Sequence, residues 1–110
     1  MAETFKANHV ALTTSNQDIV PAVAASTQTI VLTLRATNVD GTNDATVDVQ
    51  VVDTGGSPTA YIAKTITVPA NSTLELAGTS KLVLETGDKI QALASANSDI
   101  EIFVSYLEIT

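Results

Sequence analysis

Asp40, Asn43 and Asp44 crowd side-chain oxygens around Gly41, and calcium is bound by oxygen-rich loops of this composition. Their spacing does not follow the ligand order of a helix-loop-helix calcium site, and Asp and Asn beside Gly are what a tight turn uses. The stretch is read as a turn, with no metal. His9 is the only histidine, in a chain without cysteine, so it has no thiolate beside it, and general-base work needs an acid and a nucleophile arranged around it. A surface strand histidine is the expectation. Glu75, Glu85, Glu101 and Glu108 offer carboxylates for acid–base chemistry, but each falls on the polar parity of a strand or at a turn, where a solvated face explains it. Asn71-Ser72-Thr73 matches the glycosylation triplet, which has meaning only in a secreted chain. Gly55-Gly56 has no basic residue beside it and opens no helix, so it is not a phosphate cradle. No catalytic, cofactor or metal residue is assigned, and the chain is read as a non-enzyme.

Composition narrows the partners. Twelve acidic against five basic residues give a formal charge of −7, the wrong sign for a surface that neutralises nucleic-acid phosphates. Aromatics are 4% of the chain, with no tryptophan, which argues against base-stacking platforms and stacked-sugar sites. The start, Met1-Ala2-Glu3-Thr4, lacks the basic and apolar regions of a secretion signal, and no apolar run approaches the roughly 20 residues of a membrane helix. A soluble domain follows, with no nucleic-acid or membrane partner. Absence of cysteine excludes disulfides and thiolate metal sites and suits assembly in a reducing cytoplasm.

The 110 residues are enough for one domain with one core, read as spanning 1–110 with residues 1–28 as an N-terminal strand or arm. Side-chain parity then sets the elements. Residues 5–14 alternate weakly. Ile19, Val20 and Val23 surround Pro21, which confines that segment to an edge strand or connector. Ile30, Leu32, Leu34 and Ala36 alternate with polar residues, Val31 alone out of phase, and the 37–44 loop leads on to Val47, Val49 and Val51, a pattern read as a long-loop hairpin. Residues 53–58 form a second exposed turn before Tyr61, Ile62, Ile66 and Val68. Leu74 and Leu76 flank Glu75 and end at Ala77-Gly78. Leu82-Val83-Leu84 closes at Thr86-Gly87-Asp88, glycine giving these turns their backbone freedom. Ile90, Ala92, Ala94 and Ala96 join Ile100, Ile102, Val104 and Tyr106 through Asn97-Ser98-Asp99, again read as a hairpin. In that last strand Phe103, Leu107 and Ile109 break parity, which requires a bulge near Tyr106 or cover on both faces.

About eight short strands with turns every ten or so residues predict an all-β antiparallel sandwich, jelly-roll or Ig-like. Its inward set is expected to hold Ile30, Leu32, Leu34, Val47, Val49, Val51, Ile66, Leu82, Leu84, Ile90, Ile102 and Val104. Phe103, Leu107 and Ile109, which one sandwich face cannot bury, are the candidate protein interface.

From Arg35 onward the chain resembles a family of small virion structural proteins of tailed bacteriophages. The likeness is carried by Ala36-Thr37-Asn38-Val39-Asp40-Gly41-Thr42-Asn43, by Tyr61-Ile62-Ala63-Lys64 with Val68-Pro69-Ala70, and by Leu74-Glu75-Leu76. Lys81-Leu82-Val83-Leu84-Glu85-Thr86-Gly87-Asp88 and the ending Val104-Ser105-Tyr106-Leu107-Glu108-Ile109 complete it. The N-terminal third matches only in kind. The resemblance implies a non-enzymatic virion protein made in the host bacterial cytoplasm, without cofactor. It favours a capsid decoration or cement protein whose partners are the major capsid protein or other virion proteins. The apolar excess, 45% hydrophobic against 15% charged, with apolar residues on both parities of Phe103 to Ile109, predicts a homo-oligomer on a larger protein surface, a trimer or another multiple set by capsid symmetry. A neck, tail or fibre-associated adaptor is the nearest alternative, and a host-surface carbohydrate-binding module the alternative from another class, disfavoured by the missing tryptophan.

Overall fold

The computed structural model describes residues 2–53, 59–77 and 81–110. Among the described residues nine strands run in order: β1 (Glu3–Ala11), β2 (Gln17–Val20), β3 (Gln28–Asn38), β4 (Ala45–Asp53), β5 (Ala60–Val68), β6 (Thr73–Glu75), β7 (Leu82–Leu84), β8 (Asp88–Ala94) and β9 (Ile100–Ile109). They form two antiparallel sheets. The first has the order β1-β9-β3-β6, with β7 pairing β3 beside β6, and the second has the order β2-β8-β4-β5. Counting β6 and β7 as two halves of one broken strand, this is the jelly-roll arrangement of an all-β sandwich.

The core is aliphatic, as the composition requires. Ile100, Ile102 and Val104 of β9, Leu34 and Ala36 of β3, Val47 and Val49 of β4, and Ile90, Ala92 and Ala94 of β8 meet between the sheets. Ile19 and Val20 on the edge strand β2 join them, and Leu12 closes the end beyond β1. Asn38 is, with Thr27 and Thr29, a buried exception to the apolar rule. Its buried amide donates to the carbonyls of Asn43 (3.0 Å) and Val68 (2.9 Å) and accepts from the N–H of Asp40 (2.9 Å). A buried polar side chain is tolerated because its partners are all supplied.

Two expected hairpins are instead corners. β3 lies in the first sheet and β4 in the second, and β8 and β9 are divided the same way. Parity cannot separate a hairpin from a corner, since both join two half-buried strands. The corners are held by each other: Val39 N–H donates to the Asp99 carbonyl (2.8 Å), Ser98 N–H to that of Leu12 (2.8 Å), and Ser95 N–H to that of Thr46 (3.0 Å). Ser98 takes a left-handed backbone (φ 65°) and Gly87 another (φ 92°), the second where the sequence placed a glycine for that purpose. The turn expected at 53–58 and the glycine at 78 lie, beyond Asp53, outside the described residues.

The inward set is corrected at three positions. The β3–β9 register shifts between Val31 and Thr33, so Leu32 is an extra residue in a bulge. On its N-terminal side Thr29 and Val31 point inward, and on its C-terminal side Leu34, Ala36 and Asn38 do. Ile30 therefore lies half-buried on the outer face, Leu32 in the bulge is half-buried too, and Val31, read as out of phase, is fully buried. The irregularity expected near Tyr106 is real but belongs to the strand facing it, because β9 keeps unbroken register with β1. Ile66 is 40% exposed on the edge strand β5, which is bent by register shifts and a left-handed Thr65 (φ 51°). Leu34, Val47, Val49, Leu84, Ile90, Ile102 and Val104 are buried as expected, while Val51 and Leu82 are half-buried against the core.

Val31→Asp should unfold the chain, because an unpaired carboxylate in an apolar core costs several kcal/mol, on the order of the whole stability of such a domain. Ile30→Asp, one residue away, should leave a folded protein. Urea denaturation of the two variants checks the bulge, and equal tolerance would contradict it.

Candidate interaction face

The outer face of the first sheet carries the feature that polar chemistry does not explain. Phe5 of β1 stands opposite Leu107 of β9, Leu107 opposite Ile30 of β3, and Ile30 opposite Val83 of β7. Residues directly opposite in antiparallel ladders share a face, so the four form one apolar row across the whole sheet, with Phe5 74% and Val83 64% exposed at its ends and Leu107 and Ile30 half-buried between them. Phe103, 44% exposed, lies in a parallel row between His9 and Arg35. Ile109 is half-buried at the end of β9. The three candidate interface residues thus sit on one face, and Phe5, Ile30 and Val83 join them. Those three are invisible to single-strand parity, because only the register brings them into line.

The second sheet presents the opposite surface. Asp18, Gln91, Gln50 and Tyr61 form its corresponding row, linked by side chains: Gln91 donates to Asp18 (2.8 Å) and Gln50 to Gln91 (3.3 Å). Lys89 approaches Asp18 at 3.4 Å. Lys64 lies 4.6 Å from the centre of the Tyr61 ring and 3.5 Å from Asp48, whose other carboxylate oxygen accepts from the N–H of Thr65 (2.7 Å). Exposed pairs of this kind add little stability. On the first sheet the corresponding polar contacts, Arg35 with Glu75 at 2.8 Å and Thr37 with Thr73 at 3.0 Å, lie at the β3–β6 end of the face.

The residues that could do chemistry are apart from one another. Asp40 accepts from the N–H groups of Thr42 (2.8 Å) and Asn43 (3.3 Å) and from the Asn43 amide (3.3 Å). These bonds, the Thr42 N–H foremost, hold its carboxyl below the usual carboxylate range. Asp44 accepts from the N–H of Ala70 (3.0 Å). The loop's carboxylates are spent on its own turn and on the neighbouring connection, and no cluster of three or more metal-binding side chains occurs among the described residues. His9 is exposed on β1. Glu75 pairs with Arg35 and Glu108 with Lys6, both at 2.8 Å, while Glu85 and Glu101 are exposed. An open depression bounded by Ser26, Thr27, Gln28, Thr86, Ile109 and Thr110 holds no carboxylate, imidazole or amine side chain.

One titration bears on the same end of the sandwich. Burial pushes the Tyr106 phenol above its ordinary value of 10.0; the nearby Glu108 adds to the rise, and Lys6 opposes it.

No protein-family model matches the sequence, and no curated protein does. Among solved structures the chain is similar to the subunit of Bacillus endospore appendages described as a family of disulfide-linked pili, with a TM-score of 0.57, 14% identity, and cover of 99% of this chain and 87% of that one. It is also similar to a pentameric capsid protein isolated from metagenomic phage sequences, in two structures, each with a TM-score of 0.46, 16% identity and cover of 91% of this chain, and of 59% and 60% of theirs. At these identities the likeness concerns the fold alone, and jelly rolls serve capsids, lectins and cupins alike.

Two measurements follow. A chelator should leave the melting temperature unchanged, since the oxygens at Asp40 are satisfied by turn N–H groups; a calcium-dependent rise would contradict this. Because the folded phenol of Tyr106 holds its proton more tightly than the unfolded one, its contribution is complete below about pH 10 and is lost as pH rises further. Urea midpoints taken from about pH 8 to about pH 11 should fall at the alkaline end, and less steeply for Tyr106→Phe.

Proposed function

We propose that the chain is a non-enzymatic structural subunit of a tailed-bacteriophage particle. It acts as a decoration or cement protein that lays the outer face of its first sheet against the capsid. The observation that carries this reading is the row Phe5, Leu107, Ile30, Val83: four apolar side chains in register on an outward face, beside an exposed Phe103. Solvent-facing sheets alternate apolar inside with polar outside, and the first sheet departs from that rule along this row. Contiguous exposed apolar surface marks a site of contact with another macromolecule. The sequence resemblance to small virion proteins supplies the kind of particle, the major capsid protein the partner, and the virion the location.

The row supplies cohesion without chemistry. Each large apolar side chain moved from water into a contact contributes about 1.5–3 kcal/mol, so a few of them, repeated over many copies of a capsid lattice, hold a shell against internal pressure. The polar second sheet would then face the medium.

Phe103→Asp and Leu107→Asp test the reading. Both side chains leave the sheet away from the core, so the variants should fold, with Phe103→Asp costing at most about 1 kcal/mol, as surface changes do. Binding to particles lacking the protein should fall at least about tenfold, the loss of about 1.4 kcal/mol of contact. Variants that fold and bind particles as the parent does would refute this assignment of the face.

A further inference from the structure

The first sheet also ends in an open edge, and its pattern matches a second copy of itself. β1 pairs with β9 over nine positions without a register shift. Ala2 and Thr110 exchange both backbone hydrogen bonds (3.3 and 2.9 Å), and Leu12 N–H donates to Ile100 (2.8 Å). In an antiparallel ladder bonded and non-bonded pairs alternate, so the even-numbered residues of β1 bond to β9. Glu3, Phe5, Ala7, His9 and Ala11 therefore aim five N–H and five C=O groups away from it.

The remaining edges are blunted in the ways that natural sheets use against pairing. β2 has four residues, a register shift between Asp18 and Val20, and Pro21 immediately after it. β5 is broken by two register shifts, turns left-handed at Thr65, whose N–H is tied to Asp48, and is followed by Pro69. β6 and β7 have three residues each. Among the described edges β1 alone is long and regular, with the ammonium of Lys6, paired to Glu108, its one charge away from the strand end.

We infer that β1 pairs antiparallel with β1 of a second copy about a two-fold axis at Ala7. That register sets Glu3 opposite Ala11, Phe5 opposite His9, Lys6 opposite Asn8 and Thr4 opposite Val10. It uses all nine residues and all ten outward backbone groups and places no like charges face to face. Moving the axis to Lys6 sets two ammonium groups opposite each other, which destabilises a cross-strand pair. Moving it to Asn8 leaves Glu3 and Thr4 without a partner. An odd offset turns free backbone groups toward occupied ones. Phe5, the most exposed large apolar side chain of the described residues, gains the partner's His9 as a neighbour. Because the axis is perpendicular to the sheet, both apolar faces point the same way and form one surface of twice the width. The pairing goes beyond the particle role, needs no capsid, and predicts twos where capsid symmetry suggests threes.

The chain has no cysteine, so single cysteines report the register. Two Ala7→Cys residues at the axis would have Cα atoms about 5.5 Å apart, within the span a disulfide bridges. Two Phe5→Cys residues would be offset by about 13 Å along the strands. On mild oxidation of the purified chain, Ala7→Cys should give a covalent dimer and Phe5→Cys or His9→Cys alone should not, whereas mixing the last two should. Ala7→Pro removes an N–H that the β9 ladder does not use, and edge strands accept proline. It should abolish the dimer seen by sedimentation while leaving the circular dichroism unchanged. A parent chain that sediments as a monomer at every concentration, Ala7→Cys linking no faster than Phe5→Cys, or a dimer that survives Ala7→Pro would each overturn the pairing. Particle binding by the face variants is read separately, so either idea can fail without the other.

Discussion

The long ladder between β3 and β9, with one bulge at Leu32, decides which side chains of this protein meet water. Ten positions of β3 pair with β9 from Gln28 to Asn38, and the inserted residue exchanges the two faces of β3 partway along. Without it, either Val31 or Leu34 would be turned outward, since both are fully buried on opposite parities. With it, β3 buries a continuous row against the second sheet, and Ile30 is delivered to the outside beside Leu107. The apolar outer row and the closed core are thus consequences of the same backbone irregularity. Bulges re-aim side chains in this way at the cost of one unpaired position.

Around that ladder the sandwich is finished unequally. Across its second sheet runs one row of amide and carboxylate groups bonded from Asp18 through Gln91 to Gln50, with Leu93, Val52 and the half-exposed Tyr61 on the same face. On the first sheet the outward positions of β1 and β9 read Glu3, Phe5, Ala7, His9 and Ala11 against Ile109, Leu107, Ser105, Phe103 and Glu101, with charge only at the ends. Much of the net charge of −7 is carried instead by corners, turns and the start of β8, at Asp40, Asp44, Glu85, Asp99 and Asp88.

Much of this was legible in the residues. The two-residue period of Val47, Val49 and Val51 and of Ile100, Ile102 and Val104 gave strands with the correct inward side. The tilt of parity at Phe103, Leu107 and Ile109 marked the outer face. What the residues could not reveal was pairing. Val31 looked out of phase because a bulge is a property of two strands, and its position depends on β9 as much as on β3. The corners at 39–44 and 95–99 read as hairpins because the residues of a loop do not record whether the chain returns to the same sheet. Asn38, which anchors one corner through three hydrogen bonds, was indistinguishable in the sequence from its neighbours in an Asn- and Asp-rich turn. Phe5, Ile30 and Val83 became one row only through the register of four strands.

The four aromatic residues are placed to report on the central claim, that the first sheet's outer face is the one covered in the assembled particle. Phe5 and Phe103 lie on that face, Tyr61 lies half-exposed on the opposite one, and Tyr106 is buried. Hydroxyl-radical labelling of the free chain and of the chain bound to particles, read residue by residue, compares them directly. The account predicts that Phe5 and Phe103 lose their reactivity on binding while Tyr61 keeps it and Tyr106 stays unreactive in both. Protection of Tyr61 with Phe5 and Phe103 still labelled would contradict it.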